Sequence, residues 1–187
     1  MNKTKLSKTI SYILRHNPES FNLKLAADAS VNTEELIKAL KNKFGDVTKA
    51  DLIKLVKNDP KGRFSFLDNK KRIRANYGHS IEGVSPDYEA HKPPEFLYHG
   101  TTPKVKDKIK VAGLKPMGRN FVHLSVGIKE AEKVAQRRTN QPIIFKIKAL
   151  KAFKEGQTFY KTAEDIYLTN KVSSKYLSLL KNSDKNF

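Results

Sequence analysis

The sequence predicts an α+β protein built as two lobes. Three observations carry this. The first 80 residues hold three segments of helical apolar period followed by two short alternating arms around a turn. A stretch with three prolines and few aliphatic residues, EGVSPDYEAHKPPE (82–95), interrupts the pattern. After it, short strand-like runs and helical runs are intermixed.

The first helix is read from Leu6, Ile10, Ile13 and Leu14, and Pro18 limits it. The second is NTEELIKALKNKFG. Asn32 and Glu35 have capping-box spacing, Leu36, Ile37, Leu40 and Phe44 form its stripe, and Gly45 stops it. The third, TKADLIKLVKNDP, starts at Thr48 and closes at Asp59-Pro60. Phe64 and Phe66, then Ile73, Ala75 and Tyr77, mark two strands joined at Asp68-Asn69. Helices followed by a hairpin are the parts of a winged helix. The expected domains are a winged-helix lobe over 1–81, a linker over 82–95 and a small mixed α/β lobe over 96–187.

In the second lobe, EFLYHGTT reads as a strand ending in a glycine turn and PKVKDKIKVAG as a helix with Val105 and Ile109 inward. FVHLS is a strand, and GIKEAEKVAQRR a helix on Ala131, Val134 and Ala135. PIIFKIKAL, QTFY and DIYLT are three strands, SSKYLSLL is a terminal helix, and KNSDKNF is expected to fray.

Composition narrows the function. There are 37 basic and 19 acidic side chains, a net charge of +18. The excess is shared: residues 1–80 carry 17 basic and 8 acidic groups, residues 81–187 carry 20 and 11. That favours polyanionic partners, nucleic acid before membrane, although a lysine-rich solvated surface has the same charge. Cysteine is absent, which excludes disulfides and thiolate metal sites and fits a reducing cytoplasm. No apolar run approaches the roughly 20 residues of a membrane span, and the basic start MNKTKLSKTI does not continue as a secretion signal.

Four clusters hold chemistry: Arg15-His16; Arg74 with Gly78-His79-Ser80; His99-Gly100-Thr101 with His123-Leu124-Ser125; and Arg137-Arg138. Each has a plain reading. Arg15-His16 and Arg137-Arg138 end helices, where cations suit the negative pole of the dipole. A lone histidine on a strand is more often structural. The stretch RIRANYGHS (72–80) is harder to explain as surface, because arginine forks with Gly-His-Ser suit an anion. There is no phosphate loop, no dinucleotide fingerprint and no histidine pair at metal spacing.

Taken in order, LRHNP, RIRANYGHS, LYHGT, VHLS, RR…PIIF and FYKTAEDIYLT resemble the tRNA/RNA 2′-phosphotransferase family over roughly residues 4–180. The resemblance implies a winged-helix RNA-side lobe and an ADP-ribosyltransferase-like, NAD-binding lobe. It implies transfer of an internal RNA 2′-phosphate to NAD through an ADP-ribosylated 2′-phospho-RNA. The products would be 2′-OH RNA, ADP-ribose 1″,2″-cyclic phosphate and nicotinamide. Arg15, His16, Arg74 and Arg137, with Arg138 as the alternative, would be catalytic. Arg15, His16, Arg74, His79, Ser80 and Arg138 would hold the RNA phosphate, and His99, Gly100, Thr101, His123 and Ser125 would hold NAD. The family commonly has glutamine where Tyr77 stands. The resemblance implies no metal, a tRNA-like RNA such as a splice junction, a cytoplasmic monomer and no membrane. Two other classes are weighed beside it. One is a winged-helix nucleic-acid-binding protein with a degenerate NAD lobe. The other is an ADP-ribosyltransferase acting on nucleic-acid ends or protein. Glu164 and Asp165 precede the late strand and Ile166-Tyr167 lie on it, which speaks against protein modification.

Overall fold

A computed structural model describes residues 2–163 and 165–180. Among them are six α-helices and two antiparallel sheets. The chain divides into two compact units: residues 1–87 with 118–120, and residues 88–117 with 121–187.

In the first unit, helix α1 (Lys3–Arg15) is capped by the Asn2 side chain, which accepts from the Lys5 amide at 3.0 Å. It buries Leu6, Ile10, Ile13 and Leu14. Strand β1 (Ser30–Asn32) leads into α2 (Thr33–Phe44), where Asn32 accepts from the Glu34 and Glu35 amides. Glu34 and Glu35 sit at the positive pole of α2, and Lys41 and Lys43 at the negative one. Helix α3 (Lys49–Lys57) begins with a reciprocal capping box between Thr48 and Asp51. Strands β2 (Phe64–Leu67) and β3 (Arg72–Ala75) form the hairpin, and β1 adds to its free edge in the order β1-β3-β2. The turn is longer than the expected Asp68-Asn69 pair. Asp68, Asn69 and Lys70 all take positive φ, a conformation that Asn and Asp tolerate best. Leu36, Leu40, Leu52, Phe64 and Ile73 close the core over α1.

The second unit is a six-stranded sheet in the order β7-β8-β5-β4-β6-β9. Its strands are β4 (Leu97–Thr101), β5 (Val122–Ser125), β6 (Ile143–Ile147), β7 (Tyr160–Ala163), β8 (Ile166–Thr169) and β9 (Leu177–Leu179). Helices α4 (Lys106–Ala112), α5 (Ile128–Ala135) and α6 (Ala149–Lys154) complete it. Leu97, Leu124, Ile147, Phe159 and Tyr167 are central to its core.

Four local expectations change. SSKYLSLL is a 3₁₀ turn (Ser174–Tyr176) followed by β9, which pairs with β6 through Leu177↔Ile147 and Leu179↔Phe145. An apolar run this short has no decisive period, and the open sheet edge selected the strand. The strand expected at QTFY begins only at Tyr160. PIIFKIKAL leaves the sheet at Ile147 and turns into α6. Val134 is exposed, because α5 faces the sheet through Ala131 and Ala135. KNSDKNF and Glu164 lie outside the described residues.

Candidate phosphate and nucleotide sites

The end of α1 places Arg15 and His16 beside the segment that leaves β3. The Ser80 amide donates to the Arg15 carbonyl at 3.0 Å, and His16 Nδ1 and Ser80 Oγ are hydrogen-bonded at 2.9 Å. Gly78, at φ +92°, lets the chain pass the Arg15 side chain. A Cβ there would lie 3.3 Å from Arg15 Cδ, on a backbone that L-residues rarely adopt. Arg15 lies over the Tyr77 ring, 4.8 Å from its centroid, and the Tyr77 hydroxyl donates to the Lys61 carbonyl at 2.9 Å. Tyr77 therefore acts as a floor under the guanidinium.

His79 is 3% exposed. Burial, with Arg15, His16 and Arg74 around it, pushes its imidazole down to about 4. Burial, then Arg119 and Arg15, also holds His16 below its ordinary range. Burial lowers Arg15 as well. Arg15 Nε and Nη2, Arg74 Nε and His79 Nε2 are all buried and have no hydrogen-bond partner. Among the described residues neither Arg15 nor Arg74 makes an ion pair. Buried, unsatisfied polar atoms are costly one by one. Several on two arginines and a neighbouring histidine, with no carboxylate supplied, have the chemistry of an anion site.

Arg119 belongs to this neighbourhood and was not singled out from the sequence. Its loop is tied down by Asn120, whose amide donates to the His79 carbonyl at 2.9 Å. The Asn120 side chain donates to the carbonyls of Ile81 (3.0 Å) and Val84 (2.9 Å). Arg119 thereby lies close enough to depress both Arg15 and His16. The only sequence signal was an arginine in PMGRNFVHLS, a segment with no period. Arg72, the other arginine of RIR, has a structural task. It is bound to Asp28 at 2.7 and 2.8 Å, and it also bonds Ser30.

The second unit holds the other predicted residues. His99 Nδ1 donates to the His123 carbonyl at 3.0 Å, and His123 Nδ1 to the Phe121 carbonyl at 3.0 Å. Strands β4 and β5 pair only at Tyr98↔Ser125, although β4 pairs β6 over five positions and β5 pairs β8 over four. Beyond that pair, His99–Thr101 and Val122–Leu124 have no ladder register with each other. The His99 side chain instead bridges the two strands through the His123 carbonyl. Gly100 has a packing reason: a Cβ would fall 1.9 Å from the Ala131 carbonyl oxygen, so only glycine lets α5 lie on β4. Arg137 and Arg138 are exposed in the turn after α5 and form no ion pair among the described residues. No group of three His, Cys, Asp or Glu among the described residues is placed to hold a metal ion. No described helix is long and apolar enough to cross a membrane.

Residues 1–171 match the sequence model of a family described as RNA 2′-phosphotransferase, Tpt1 / KptA family. Similar proteins include one of Rhizobium leguminosarum bv. trifolii, 43% identical over 94% of this chain and 94% of that protein. Others come from Fusobacterium nucleatum subsp. nucleatum (40%, over 94% and 98%) and Bacillus thuringiensis subsp. konkukian (40%, over 96% and 96%). All three carry the name "Probable RNA 2′-phosphotransferase".

Proposed function

The chain belongs to the RNA 2′-phosphotransferase, Tpt1/KptA, family, and from that premise we propose how its two units divide the reaction. It is a transferase that takes the 2′-phosphate from RNA. The first unit serves as a winged-helix RNA lobe, and the second as an ADP-ribosyltransferase-like lobe that takes NAD as co-substrate. The observation that carries the reading is the set of buried, partnerless donors on Arg15 and Arg74, with the unpartnered His79 Nε2 beside them. A 2′-phosphate supplies the acceptors they lack.

NAD, when bound, provides an electrophilic ribose carbon with nicotinamide as its leaving group. The protein's residues position and neutralise. Arg15 and Arg74 grip the phosphate through planar forks that stay charged at any working pH. His16, oriented by Ser80, donates or accepts a proton at the phosphate edge. Strands β4 and β5, with His99, Gly100, Thr101, His123 and Ser125, take the nicotinamide amide and adenosine ribose. Two readings compete for a further arginine. Arg119 is favoured, because it lies in the same unit as Arg15 and His16 and acts on both electrostatically. Arg137, or Arg138, is the alternative carried by the family resemblance. The RNA is tRNA-like, and the enzyme works as a cytoplasmic monomer without a metal.

The test is a 2′-phosphorylated oligoribonucleotide incubated with and without NAD. The expected outcome is NAD-dependent loss of the phosphate into ADP-ribose cyclic phosphate. Release of inorganic phosphate without NAD contradicts the proposal.

A further inference from the structure

A groove of about 500 Å³ runs along α1 against α3 and the segment that follows it, and it ends at His16. Lys3, Lys8, Tyr12, Lys54 and Arg63 line it with His16. Lys8, Tyr12 and His16 are spaced by four residues, so they form one stripe along the helix that leads to the phosphate cluster. From Lys3 to His16 the helix spans about 20 Å, far more than one phosphate requires.

The groove contains two carboxylates, and both are committed elsewhere. Asp59 is bound to Arg63 at 2.5 Å. Asp51 accepts from the Thr48 amide (3.0 Å) and hydroxyl (2.6 Å) in the α3 cap. Lys3, Lys8 and Lys54 form no ion pair among the described residues. Tyr12 is 48% exposed, on a helix whose other large apolar side chains are buried. Its ring is held in place. The Asn17 side-chain amide donates to its hydroxyl at 3.1 Å, and the ring leans on His16 with centroids 6.3 Å apart.

A fixed, half-exposed aromatic among lysines outside any ion pair, in a concave channel continuous with a phosphate site, has the chemistry of a single-strand track. We propose that this groove binds the single-stranded RNA flanking the 2′-phosphorylated nucleotide, with one base stacked on Tyr12 and backbone phosphates on Lys3, Lys8 and Lys54. It rests on the reading of the His16 cluster as the RNA phosphate site. A duplex keeps its bases stacked on one another and cannot offer a face to Tyr12, so the track selects unpaired RNA.

The experiment measures binding without turnover. A fluorescein-labelled 12-nucleotide oligoadenylate lacking a 2′-phosphate is titrated by anisotropy into the full chain across a salt series, beside a duplex of equal length. The single strand is expected to bind more tightly than the duplex. Tyr12→Ala should weaken it about tenfold, and Tyr12→Phe should bind as the parent does. The double variant K8S/K54S should flatten the slope of log K against log salt by about 1.4, near 0.7 for each phosphate that is no longer neutralised. The changed side chains are exposed, and thermal midpoints equal to the parent's verify the fold. Parental affinity and slope in both variants, or equal binding of the duplex, overturns the track. If the track behaves as expected but no 2′-phosphate is removed with NAD, the transferase reading falls and the track stands.

Discussion

Two pairs of arginines, Arg63 with Arg72 and Arg15 with Arg74, face opposite circumstances within one unit. Arg63 is paired with Asp59, whose side chain is 3% exposed, and Arg72 with Asp28. Arg15 and Arg74 have buried nitrogens with no acceptor, and neither forms an ion pair among the described residues. Arg72 and Arg74 are only two residues apart on one strand. The fold thus supplies carboxylates to Arg63 and Arg72 and withholds them from Arg15 and Arg74, the two proposed to meet a ligand. An ion pair satisfied inside the protein leaves nothing for a substrate, whereas a cluster left open trades stability for phosphate affinity.

The largest effect that sharpens this contrast is on transfer. Arg74→Ala or Arg15→Ala should lower the rate by about two to three orders of magnitude, since each removes a charged donor to a transferring phosphoryl group. Neither should lower the melting temperature in phosphate-free buffer. Lysine at either position should restore part of the rate, because it keeps the charge and loses the fork. A lowered melting temperature with normal transfer would place these arginines with the structural pairs.

Next in size is the choice between Arg119 and Arg137. Arg119→Ala is expected to cost about two orders of magnitude in rate, with Arg137→Ala within severalfold of the parent. The reverse order in a time course of labelled 2′-phospho-RNA returns the role to the turn after α5. Accumulation of ADP-ribosylated RNA in either variant would assign that arginine to the second step.

Stability against pH probes the histidine at the centre of the cluster. The folded pKa of His79 is about 4, below its ordinary 6.5, so the unfolded chain takes up the proton first. Its contribution is complete above pH 6.5 and is lost as pH falls through 4. By pH 5 the loss is about 2 kcal/mol. Urea midpoints at pH 7.5 and 5 should show it, and His79→Gln should flatten the difference. An unchanged difference in that variant would mean that no neutral imidazole is buried at this position.

The smallest effect is on the paired side. Arg72→Ala should cost about 1 kcal/mol, as expected for a half-exposed pair, and leave transfer at the parental rate. A large loss of transfer would erase the distinction between the two arginines of RIR.

Much of this was legible in the sequence, and the remainder fails for physical reasons. Helices α1, α2 and α3 could be read because their caps and apolar stripes are local. Arg15, His16 and Arg74 could be expected to act together because their motifs stand in a recognisable order, and all three lie around His79. Strand β1 has three residues and β9 follows a single 3₁₀ turn, so neither carries a period of its own. That Arg72 is structural depends on Asp28, 44 positions away. The place of Arg119 depends on three hydrogen bonds from Asn120 to the backbone of His79, Ile81 and Val84. Pattern reading sees neighbours in the chain, and these neighbours exist only in the fold.

Arg15, Arg74 and His79, as the proposed site of the 2′-phosphate itself, should discriminate RNA by that one group. The most direct measurement is calorimetric titration of two oligoribonucleotides identical except for one internal 2′-phosphate, without NAD. The phosphorylated strand should bind at least tenfold more tightly. The preference should vanish in Arg15→Ala and Arg74→Ala and survive in Arg72→Ala. Equal affinity for the two strands, or a preference that outlives both arginine substitutions, would contradict it.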